Sequence, residues 1–309
     1  MQAKLSAIGL GALLACACGA AAAQATMSTA STIQEGNRNS AYIEQVAEQP
    51  PGQLATITQI GNNNYAGDPR SRIGGIFQRA NEAAVAAIYQ EGNRNEAGIE
   101  QDGTKFPVNA RIDQLGNRNT GYITQHIQTF SDGTLSQTGN DNVAWLDQTS
   151  VADSGLHVIQ TGSENYVAFR QTGVTHGAPT VTQTGNGNAM TVDQTNLNGP
   201  SGTSVEQLGD MNTAHVELQQ ADDAINSVVQ IGNDNTAKTS QMSGSSDIGI
   251  IVQNGNHNWA KLAQVGGNNT ALITQDGNNN WAHIRQVGNG FVANIAQTGN
   301  SNNAGIYQH

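Results

Sequence analysis

Along this chain, apolar and polar residues alternate, and the alternation is interrupted at regular intervals by a Gly-Asn pair. The unit reads Q-x-G-N-x-N-x-A-x-I-x-Q. It first appears as Gln34-Glu35-Gly36-Asn37-Arg38-Asn39-Ser40-Ala41-Tyr42-Ile43-Glu44-Gln45. Further copies begin at Gln90, Gln114, Gln137, Gln160, Gln183, Gln207 and Gln230. From Gln253 the unit runs back to back through Gln264, Gln275, Gln286, Gln297 and Gln308. Between the earlier copies lie looser steps, Gln101 to Gln114 and Gln125 to Gln137 among them. These still end in alternating apolar-x-Gln, as at Ala110-x-Ile112-x-Gln114.

In N-x-A-x-I-x-Q the marked residues are two apart, so on a strand they share one face. Asn39, Ala41, Ile43 and Gln45 then point one way, and Ser40, Tyr42 and Glu44 the other. The Gly-Asn pair carries turn chemistry, because both residues tolerate positive φ. Each step therefore predicts a short strand and a tight arc, and two steps, roughly 22–25 residues, predict one coil. The expected fold is all-β: a β-solenoid of stacked two-strand coils, giving two parallel sheets in a cross-β, amyloid-like arrangement. Stacking sets Gln on Gln, Asn on Asn and Ile on Ile or Val, so amide ladders satisfy the buried side chains. The inward triplets Ala97-Ile99-Gln101, Ala144-Leu146-Gln148, Val167-Phe169-Gln171 and Ala282-Ile284-Gln286 hold no charge. The interleaved positions carry Glu44, Glu100, Asp147, Arg170, Lys261 and Arg285. An unpaired charge in so thin a core would cost several kcal/mol. One stretch breaks the rule, Ala66-x-Asp68-x-Arg70 with Pro69, and predicts an irregular loop near 66–78 instead of a strand.

Composition changes the picture at the ends more than in the middle. The chain has 309 residues, of which 37% are hydrophobic and 12% charged, with 36 Gly. Without the repeat this composition would read as prion-like and disordered. Residues 1–25 read as a signal peptide: Lys4, an apolar run from Leu5 to Leu14, and an A-x-A site at Ala23-Gln24-Ala25. The run is too short for a membrane span. A lipoprotein signal is the alternative, with Leu13-Leu14-Ala15-Cys16 as a loose lipobox. Both cysteines, Cys16 and Cys18, fall in this segment, so the mature chain 26–309 would have no disulfides and no thiolate metal sites. The net charge is −11 and the thirteen Lys and Arg are scattered singly, which argues against nucleic-acid binding.

These residues resemble the curlins, the subunits of curli fibres, whose repeat alternates a Q-x-G-x-x-N-x-A-x-x-x-Q step with a looser step ending in Gln. Gln137 to Gln148, followed by Gln148 to Gln160, is similar to that pair, and the resemblance runs from about Ala30 to Gln308. It implies secretion through an outer-membrane pore, polymerisation on the cell surface with a nucleator, and a role in biofilm matrix, adhesion and surface colonisation. The subunit would thus be extracellular, in a pilus-like fibre. Two departures stand out: this chain has more repeats than the usual curlin, and only Thr26 to Ile33 stand between the predicted cleavage site and the first motif Gln. Major subunit and nucleator both fit.

Ala30-x-Thr32-x-Gln34 already has strand spacing, and one residue follows Gln308, so no end cap is legible. Open, complementary ends predict a head-to-tail homopolymer. The candidate templating residues are Gln34, Asn39 and Gln45 at one end and Gln275, Asn280, Gln286, Gln297, Asn302 and Gln308 at the other. Trp259 and Trp281 are outward and one coil apart, an expected aromatic ladder for lateral association or adhesion, or simply aromatics in strand positions. An enzyme would need clustered acids, bases or metal ligands. His215, His257 and His283 are dispersed, and Asp141, Asp210 and Asp234 lack the calcium-solenoid spacing. No catalytic, cofactor or metal residue is therefore assigned. The alternative function is a monomeric β-solenoid binding module or adhesin. Here the outward positions mix Glu, Tyr, Trp, Lys, His and Thr, not the flat Thr array of an ice binder.

Overall fold

The computed structural model describes residues 28–46, 52–67, 74–79, 82–105 and 107–309. The predicted signal peptide with Cys16 and Cys18, and Asp68, Pro69 and Arg70 of the predicted loop, lie outside the described residues. Those described form strands and tight turns and no helix. The chain climbs as a two-sided β-solenoid. A twelve-stranded sheet runs from Thr29–Asn37 to Val292–Thr298, and a fourteen-stranded sheet from Ser40–Ala41 to Asn303–Gln308. Successive strands alternate between the sheets, and each pairs in parallel with its equivalent one coil on. The second sheet has extra strands because its first two layers are split, Ser40–Ala41 from Ile43–Val46 and Tyr65–Ala66 from Gly75–Arg79.

Register follows the sequence pattern. Gln137 pairs with Gln160, Gly139 with Gly162 and Leu135 with Val158. Inward rows from both sheets meet in one thin core: Ile112, Leu135, Leu156, Val158, Leu146 and Phe169 are at most 2% exposed. From Gln90 to Gln297 the axial step stays between 22 and 24 residues, short enough for a strand, an arc, a strand and an arc. It lengthens to 31 between Gln59 and Gln90 and to 33 between Gln45 and Gln78. The extra residues fall between Gly67 and Gly74. Ala66 still closes a strand and is fully buried, and Gln78 rejoins its row.

The arcs differ from the sequence expectation in one respect. Positive φ falls on the motif Gly and on the residue after the following Asn, not on that Asn. Arg94, Arg118, Asp141, Glu164 and His257 all sit near +57°, in the left-handed region. The first motif Asn instead stays extended and bonds its neighbour one coil away, as Asn93 Nδ2 does to Asn117 Oδ1 at 3.0 Å. A ladder bond of this kind is available only to the extended residue, so the turn strain moves one position on.

Candidate functional site

The buried polar framework of this fold is three amide ladders, two of Gln and one of Asn, and the two faces on which they end. The first ladder has one Gln in each strand of the twelve-stranded sheet, from Gln34 to Gln297. In it every Nε2 donates to the Oε1 one coil on, at 2.7 Å from Gln34 to Gln59 and 3.0 Å from Gln160 to Gln183. The same Nε2 also reaches a backbone carbonyl across the core, as Gln160 does to Val143 O at 3.1 Å. An Asn ladder runs along one row of arcs. Asn142 Nδ2 donates to Gly162 O at 2.9 Å, while its Oδ1 accepts from the backbone N–H of Asn165 at 3.1 Å. Buried amides in such rows leave no orphaned donor, and each bond contributes about 0.5–1.5 kcal/mol net.

The second Gln ladder is interrupted. It runs from Gln45 through Gln78, Gln101, Gln125, Gln148 and Gln171 to Gln194, then resumes from Gln241 to Gln308. Between them Leu218 stands in register with both Gln194 and Gln241. Two buried polar residues on the facing sheet take up the loose ends: Gln194 Nε2 donates to Thr203 Oγ1 at 2.7 Å, and Asn226 Nδ2 to Gln241 Oε1 at 3.4 Å. Thr203→Val should therefore cost about 1–3 kcal/mol, the price of an orphaned buried amide. Leu218→Gln in that background should recover most of it, by denaturant midpoint. A loss no larger than that of the exposed Thr213→Val would overturn the assignment.

Among the described residues Asp247 is the one buried carboxylate in an arc. Its Oδ1 accepts from the Asn269 N–H at 2.8 Å, as an Asn would, but its Oδ2 is buried without a partner. In the next coil Asn269 directs Nδ2 at Gly288 O, 2.9 Å away. The equivalent carbonyl for Asp247 is Gly266 O, and both it and Oδ2 lie within 2.5 Å of where a Gly244 β-carbon would sit. No described residue donates to Oδ2, and burial pushes the Asp247 carboxyl above its ordinary range, against the opposing pull of its bonds to Asn269. With the folded value raised, stability is highest below the unfolded value of about 3.9 and is lost as pH rises through the folded one. Asp247→Asn should gain about 1–3 kcal/mol at about pH 7 and nothing near about pH 3. An equal gain at both pH values would rule this out.

The structure divides the predicted templating residues. Gln275, Asn280 and Gln286 lie inside completed ladders and are at most 1% exposed. Gln34, Asn39 and Gln45 lie in the first described coil, and Gln297, Asn302 and Gln308 in the last. No described residue donates to the Oε1 of Gln34 or Gln45, and the strands Thr29–Asn37, Val292–Thr298 and Asn303–Gln308 each pair on one side only. Trp259 and Trp281 stack with ring centroids 5.0 Å apart and planes 5° from parallel. A second outward stack, Tyr122 on Trp145 at 4.5 Å and 8°, escaped the sequence reading because its partners sit in coils of slightly different length. Among the described residues no three His, Cys, Asp or Glu come together to hold a metal, and no helix is long and apolar enough to cross a membrane.

A family model described as the curlin associated repeat matches residues 53–103, 244–277 and 266–290. No curated protein is similar enough to the chain to count as a relative. The matched segments include the uninterrupted C-terminal ladders and also the coils on either side of the long step. Repeat, register and two-sheet solenoid agree: the matched segments carry the curlin associated repeat within a parallel two-sheet β-solenoid.

Proposed function

We propose that this chain is a secreted structural subunit that adds head to tail to copies of itself, forming an extracellular curli-like amyloid fibre for biofilm matrix, adhesion and surface colonisation. One observation carries the reading: the two end faces match position by position. Ala30, Gln34, Asn39, Ala41, Ile43 and Gln45 of the first described coil have their equivalents in Ala293, Gln297, Asn302, Ala304, Ile306 and Gln308 of the last. Only Thr32 against Ile295 differs in type. Ladder direction agrees as well, because every Gln-to-Gln bond of the two ladders is donated toward the C-terminal end, and Gln34 and Gln45 of the first described coil have Oε1 atoms to which no described residue donates. A contact between unlike ends does not close on itself and grows into a filament.

A dedicated outer-membrane pore and a nucleator are the partners that the curlin resemblance implies, and the unit needs neither cofactor nor catalytic group. The test is growth from purified monomer: thioflavin fluorescence should rise after a lag that preformed fibres abolish. Persistent monomer by light scattering would reject the fibre and favour a monomeric surface-binding module.

A further inference from the structure

In sequence the thirteen Lys and Arg look isolated, but the stacking register gathers several of them. On the outward face of the second sheet His215 pairs with Lys238, Lys238 with Lys261, and Lys261 with His283. Arg285, two residues beyond His283, faces the same way. Like charges directly opposed across strands repel. A chain of net charge −11 has acids to place between them, yet the strands of Lys238, Lys261 and Arg285 hold none on this face. The nearest are Glu217, two residues beyond His215 on the same strand, and Asp193, which pairs with Glu217 from the coil before. Among the described residues Lys238, Lys261 and Arg285 form no ion pair, and all three are exposed. Burial, with Lys261 and Arg285 nearby, holds His283 below its ordinary range, as a locally positive surface would.

Beside this row stand Trp259 and Trp281. Their facing sides cover each other, so no base can insert between them, and stacking of bases on open aromatic faces is what single-stranded nucleic acid requires of a protein. The surface is instead a short axial stack, Lys238 over Lys261 about 4.8 Å apart with Arg285 on the next strand, flanked by two imidazoles. We propose that it binds an acidic polysaccharide, whose carboxylates lie along His215, Lys238, Lys261 and His283 with Arg285 beside them. The row exists within one chain. In a fibre it would recur in every subunit and give multivalent attachment, a consequence that rests on the head-to-tail reading.

The test uses full-length chain captured singly on a surface, so it does not depend on fibre growth. The probes are polygalacturonate, neutral dextran and a single-stranded oligonucleotide. Polygalacturonate should bind, dextran should not, and the oligonucleotide should bind more weakly. The K238Q/K261Q/R285Q variant should lose about tenfold in affinity at about 50 mM salt, with a shallower salt dependence, while K238R/K261R keeps both affinity and fold. The proposal fails if polygalacturonate does not bind, if the triple variant binds it as well as the parent, if dextran binds equally, or if the oligonucleotide binds more tightly. Failure here would leave fibre assembly untouched, and failure to polymerise would leave this binding measurable.

Discussion

Gly162→Ala is expected to lower the stability of the soluble chain by roughly 3–5 kcal/mol and to open the coils around it to protease. The added β-carbon would stand 2.0 Å from Gly185 O, inside any allowed contact, and φ at Gly162 is +118°. Neither neighbour can yield cheaply. Gly185 O is held by Asn165 Nδ2 at 2.8 Å, and Gly162 O by Asn142 Nδ2 at 2.9 Å, so a shift in one arc pulls on two rungs of the Asn ladder. Coils of a solenoid touch only their neighbours, so damage should stay local and appear as a new cleavage site. Gly155→Ala is the control. Nothing lies within 4 Å of its added β-carbon, so the midpoint of denaturant unfolding should move by no more than about 0.5 kcal/mol. Equal midpoints for the two variants would show that the close stacking of arcs does not limit stability.

How far the sequence carried the fold follows from what each feature depends on. The inward rows were legible because strand period two is a local property: Ala144, Leu146 and Gln148 are marked by their own spacing, and all three are buried. The Trp259–Trp281 stack was legible for a related reason, since the step there is constant at 22 residues. Features that depend on register across unequal steps were not. Leu218 interrupts the second Gln ladder, yet Gln219 follows it in sequence and masks the gap, since a shift of one residue exchanges the two faces. Thr203 and Asn226 look like ordinary strand polars until Gln194 and Gln241 are placed across from them. The row from Lys238 to Arg285 was missed because scattering along a chain says nothing about stacking across coils. Of the expected templating set, Gln275, Asn280 and Gln286 are covered by a further coil, and the other members lie in the first and last described coils, a distinction that needs the stacking order and not the residue type.

Placing a charge on the last described coil tests those end residues most directly. Ile306→Lys should slow fibre elongation by about a hundredfold or more while leaving the soluble chain folded. Ile306 is only partly buried, packed against the core from one side, so in the single chain a lysine there can lean out of the open face. In a head-to-tail junction the same position would be covered by Ile43 of the next copy, and an unpaired ammonium enclosed in that core would cost several kcal/mol. Each 1.4 kcal/mol is about a factor of ten, so elongation has little margin. Val292→Lys adds the same charge to the same coil, but Val292 is 70% exposed and outward, so growth should continue at close to the parent rate. If charge alone were responsible, through repulsion between acidic or basic surfaces, both variants would behave alike and added salt would rescue them. If the junction is the Ala-Ile-Gln face, only Ile306→Lys fails, salt does not rescue it, and parent seeds remain unable to extend with it. Normal growth of Ile306→Lys from parent seeds would mean that copies of this chain do not join through these ends.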